Sequence, residues 1–82
     1  MEFPSIHLGG SGKVNLYNQS AEVVNALDIA IQKLNDASPH MRDYINRPSA
    51  YDQACRDNAA RVLSLRAIQN EFGNIMNYCD SF

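Results

Sequence analysis

The side chains best equipped for chemistry gather in one short stretch, Ser38-Pro39-His40-Met41-Arg42-Asp43-Tyr44, with Arg47 just beyond it. Arg42 and Arg47 each carry a guanidinium group able to grip a phosphate or carboxylate through paired N–H donors. Tyr44 offers an aromatic face on which a base can stack, and His40 an imidazole. A structural reading competes: Asp43 pairs with Arg42 or Arg47 to pin a loop, and Tyr44 plugs the end of a hairpin. His40 with Asp43 is the one compact acid–base pair, and no Ser or Cys stands as a nucleophile for it, so catalysis is not expected.

Two further groups of residues bear on ligands. Gly9-Gly10-Ser11-Gly12-Lys13 looks like the tail of a phosphate-binding loop, but Val14 replaces the magnesium-binding hydroxyl and His7 stands where the first glycine belongs. The expectation left is a flexible turn whose backbone N–H groups, with Lys13, close over an anion. Asn58, Arg61 and Gln69 fall inside an otherwise apolar helical arc, so they either fix register between subunits through hydrogen bonds or line a pocket there. Arg56 and Arg66 read as solvated surface charges. The expected ligand set is therefore His40, Arg42, Tyr44, Arg47, Lys13 and Arg61. No metal or cofactor is expected, since His7 and His40 form no ligand-spaced cluster with Cys55 or Cys79.

The elements that must position these groups follow from periodicity. Residues 1–17 alternate weakly around the glycines and read as a flexible or partner-ordered arm, or a small hairpin. A helical hairpin domain is expected over 18–82. Asn18 or Ser20 can cap a first helix, in which Val23, Val24, Leu27, Ala30, Ile31 and Leu34 recur at helical spacing until Asp36 or Ala37. Ser38 is placed to cap a short turn from His40 to Ile45, with Pro39 at its first position, and Asn46-Arg47-Pro48 to stop it. Ser49, with Asp52 three residues on, opens a second helix that runs to about Tyr78. Its apolar arc takes in Tyr51, Ala54, Cys55, Val62, Leu65, Ile68, Phe72, Ile75, Met76 and Cys79, and leaves Leu63 outside. Cys55 and Cys79 lie about 36 Å apart along that helix, too far to bridge, which points to free thiols and a cytoplasmic setting.

With 82 residues and a net charge of −2, the chain is one small domain without the basic surface of a general nucleic-acid binder. The connector is too long for a DNA-reading helix-turn-helix, and neither helix has a basic recognition face. No apolar run reaches the length of about 20 residues that a membrane span needs, and no signal peptide is visible. Two helices cannot cover an arc this broad. The expected fold is all-α, a two-helix hairpin assembling into a homo-oligomeric bundle.

From about Leu27 to Cys79 the chain resembles a family of short proteins common in bacteriophages and prophages. The resemblance rests on Ser38-Pro39-His40-Met41-Arg42-Asp43-Tyr44, on Arg47-Pro48, and on Ala59-Ala60-Arg61-Val62-Leu63-Ser64-Leu65. Met41 stands where that pattern often has glycine. In size, helix arrangement and arm the chain is also similar to phage counter-defence sponge proteins, which sequester cyclic nucleotide signals of immunity systems such as CBASS and Thoeris. The likeness implies a non-catalytic phage protein in the host cytoplasm that holds a nucleotide between its subunits. The alternative is a helical interaction module that inhibits a host protein or serves in virion assembly.

Overall fold

In the computed structural model, which describes residues 1–6 and 11–81, two long antiparallel helices are joined by a structured elbow. Helix α1 spans Ser11–Asp36 and helix α2 spans Pro48–Asp80, with a 3₁₀ helix, η1, over Met41–Tyr44 between them. No strand occurs among the described residues, and none of the helices is long and apolar enough to cross a membrane. The expected arm segment His7 to Gly10 lies outside the described residues.

Helix α1 begins at Ser11, not at Asn18 or Ser20. The weak alternation of Val14 and Leu16 gives way to a longer helical series, Lys13, Tyr17, Ser20, Val24, Leu27, Ile31 and Leu34, spaced by four and three in turn. Ser20, a cap candidate by type, sits inside the helix and is only 4% exposed. Its small side chain belongs to the seam. Packing against a partner helix overrides the poor helix propensity of Gly12 and the asparagines.

Helix α2 carries the matching series: Tyr51, Cys55, Asn58, Val62, Leu65, Gln69, Phe72, Met76 and Cys79 again alternate steps of four and three, and each is buried or half-buried. This is the seam of an antiparallel coiled-coil hairpin. Register is visible where Gln69 reaches across to Val24 and Asp28. Ile31 and Cys79 are the fully buried apolar side chains. Leu63 is 69% exposed, as its place outside the arc requires. Cys55 and Cys79 are free thiols.

The elbow differs from expectation in its caps. Ser38 does not start η1; it finishes α1, donating from its hydroxyl and its N–H to the Asn35 carbonyl. His40 is extended and precedes η1 without a side-chain cap. Asn46 has φ 63°, and Arg47 N–H donates to Tyr44 O at 2.9 Å, which fits a type II turn with asparagine at its left-handed position. Pro48 does not end an element but begins α2 at a first-turn position, where a missing N–H costs nothing. Ser49 is consequently inside the helix.

The described end of the arm folds back. Phe3 stacks on Tyr78 near the end of α2, with ring centroids 4.8 Å apart and planes at 30°. Residues 11–17 are helical and so form no hairpin strand.

Candidate functional site

The elbow and the adjoining helix ends enclose a cleft of about 430 Å³. His40, Asp43 and Tyr44 come from the elbow, Asp36 from the last turn of α1, and Asp57 and Arg61 from α2. Three of the six expected ligand residues, His40, Tyr44 and Arg61, thus share one wall system. Asp57 lies one turn before Arg61 on the same helix face, and that spacing of four is the signal that would have placed it there.

Tyr44 divides this cleft from a second one. Its ring meets that of Tyr51 at a centroid distance of 5.9 Å and 55°, a tilted pair that closes the end of the seam. Beyond it, Arg42, Met41, Ile45, Pro48 and Tyr51 line a mostly apolar depression of about 600 Å³. Met41 and Ile45 are each 70% exposed at the tip of the hairpin. The neighbouring Cys55 thiol, one turn further along α2, raises the Tyr51 phenol above its ordinary value, helped by desolvation and the charge of Asp52.

The remaining expected residues do not join the set. Arg47 is exposed and borders neither cleft. Lys13 lies at the opposite end of the hairpin, beside Val14, Tyr17 and Asp80. It is separated from the end of α1 by about 35 Å of helix, so within one chain Lys13 cannot close over a ligand at the elbow. Among the described residues Asp43 makes no ion pair with Arg42 or Arg47. What pins the elbow is backbone hydrogen bonding and the tyrosine pair.

Electrostatics constrain what the first cleft can hold. Asp36, Asp43 and Asp57 surround it, against the single guanidinium of Arg61. A phosphate placed there meets more carboxylate than cation, and Coulomb repulsion between partly exposed charges opposes it by about 1–4 kcal/mol per close pair.

The polar inclusions of α2 resolve differently from one another. Gln69 bonds within the chain: its amide donates to Val24 O at 3.0 Å and to Asp28 Oδ1 at 2.7 Å. Arg66 is not merely solvated, for it donates to Gln69 Oε1 at 2.9 Å and meets Asp28 at 3.4 Å. Among the described residues Arg56 donates to Gln53 on its own helix. Asn58 is half-buried on the seam and borders the cleft, whereas Arg61 projects from the flank. Among the described residues, no group of three or more His, Cys, Asp or Glu side chains is placed to hold a metal ion. Searches of family models, curated proteins and solved structures find no match to this chain.

Proposed function

We propose that the chain is a non-catalytic helical interaction module, working as an assembly of copies and docking a partner protein through the tip of its elbow. The observation that carries this reading is the exposure of Met41 and Ile45 on a tightly bonded loop. Large apolar side chains held out on a structured tip lose free energy to water unless something covers them. Arg42 and Arg47 lie beside them, so the partner chemistry that fits is an apolar pocket rimmed by carboxylates. In a phage setting such a module would inhibit a host protein in the cytoplasm or join a virion structure. Met41→Asp with Ile45→Asp tests it, because both positions are exposed and the hairpin should keep its helicity. Wild type should capture one partner in stoichiometric amount from bacterial lysate, the double variant should lose it, and Leu63→Asp should keep it. Equal capture by all three would refute the elbow as the docking tip.

A second reading, a counter-defence protein that sequesters a cyclic nucleotide or related immune signal, is favoured by the meeting of His40, Tyr44 and Arg61 in one cleft. The cleft carboxylates weigh against it. Titration calorimetry with cyclic di- and trinucleotides and ADP-ribose derivatives decides: this reading requires micromolar binding that Tyr44→Ala and Arg61→Ala abolish.

A further inference from the structure

The two flanks of the hairpin seam differ in kind. At 100° per residue, Val14, Ala21, Asp28 and Asn35 fall seven apart on one flank of α1, and Ala59, Arg66, Gly73 and Asp80 on the same flank of α2. Contacts confirm the pairing of these series: Asp28 meets Arg66, Asn35 and Ala59 border one groove, and Val14 and Asp80 another. On the opposite flank α1 presents Leu16, Val23 and Ala30, and α2 presents Ile68 and Ile75. Ala54 and Arg61 continue the α2 series toward the elbow, where they share the cleft with Ala37 of α1. Arg61 is the one charged member of this second pair of series.

The chain is also under-buried for its mass. A folded monomer of this size exposes about 4,900 Å², whereas this one exposes 5979 Å². Its radius of gyration is 18.2 Å, against about 12 Å for a compact domain of the same length. The excess surface, about 1,000 Å², is close to what one partner contributes to a standard stable interface, about 800 Å².

We infer that a second copy of this chain packs on the Leu16/Val23/Ala30–Ile68/Ile75 flank, forming a two-fold four-helix bundle. A self-complementary apolar flank added to a heptad seam is the pattern that buries a helix on two neighbours at once. The Asp28–Gln69–Arg66 flank then faces water, where its half-exposed ion pair costs nothing to keep. This assignment rests on the proposed assembly of copies and gives it an interface, but not on the elbow as docking tip, since neither Met41 nor Ile45 belongs to the flank.

Sedimentation equilibrium of the whole chain at micromolar concentrations tests it. Wild type should sediment at twice the 9.2 kDa chain mass. Ile68→Ser, at a position 42% exposed in the single hairpin, should raise the dimer dissociation constant by at least about tenfold. Leu63→Ser and Gly73→Ala, away from the flank, should leave it within about twofold. Circular dichroism at a concentration where each variant is dimeric separates loss of assembly from loss of fold. A helical wild type sedimenting as one chain or at any other stoichiometry overturns the inference. So does a dimer that Leu63→Ser weakens as much as Ile68→Ser.

Discussion

One flank of this hairpin is tied across its middle by polar contacts, and the other is aliphatic. Along the first, Arg66 and Asp28 meet across the helices, both bonded to Gln69 of the seam, whose amide is satisfied on α1, and Gly73 leaves open space. On the second, aliphatic side chains stand half-covered with Arg61 among them. The difference teaches that polar residues inside a predicted apolar arc need not mean a binding pocket. Gln69 acts as a register pin within one chain, while half-covered aliphatics on the other side, with Ile68 exposed among them, mark where more protein belongs.

The largest expected effect falls on the seam common to both flanks. Ile31→Ala, at a side chain 2% exposed, should destabilise by about 2–5 kcal/mol in urea melts. A loss below about 1 kcal/mol would mean that the seam is not the core. Next comes the pin. Gln69→Ala removes donors to Val24 O and Asp28 and should cost about 1–2 kcal/mol. Gln69→Leu should stay within about 1 kcal/mol of wild type, because an aliphatic seam residue packs as well as a bonded amide. If both cost the same, hydrogen bonding rather than shape governs that position.

Smaller effects sharpen the contrast. Nothing lies within 4 Å of a Cβ built on Gly73, so Gly73→Ala should stabilise α2 by about 0.5–1 kcal/mol, read as a higher melting temperature. Destabilisation would place a close neighbour on the flank assigned to water. The smallest effect is alkaline. The Tyr51 phenol is raised by the neighbouring Cys55 thiol, so its folded value exceeds the unfolded one. The contact's contribution is complete below about pH 10 and disappears as pH rises through the raised value. Spectrophotometric titration should show one late-ionising tyrosine, which Cys55→Ala returns to the ordinary range.

The hairpin was legible in the sequence because Val23 to Leu34 and Tyr51 to Cys79 repeat at helical spacing over many turns. The start of α1 was not. Ser20 and Asn18 have the chemistry of caps, and only the tertiary demand for a small seam residue shows that Ser20 is interior. Ser38 and Pro48 carried the right signals with the roles displaced, one closing α1 and the other opening α2. For the candidate site, local sequence brings His40 and Tyr44 together, and Arg61 stands out as a polar break in the arc. The carboxylates that surround them come from three elements, a convergence that linear spacing does not display. Only chemistry links Lys13 to the elbow, and the length of α1 separates them.

Hydroxyl-radical footprinting of the wild-type chain compares the two sides in one experiment. Leu63 and Ile68 are both exposed in the single hairpin, at 69% and 42%. The account predicts ready oxidation of Leu63, with Ile68 and Ile75 protected at micromolar concentration and released on dilution. Labelling of Ile68 in proportion to its exposure in the single hairpin, unchanged by dilution, would contradict it.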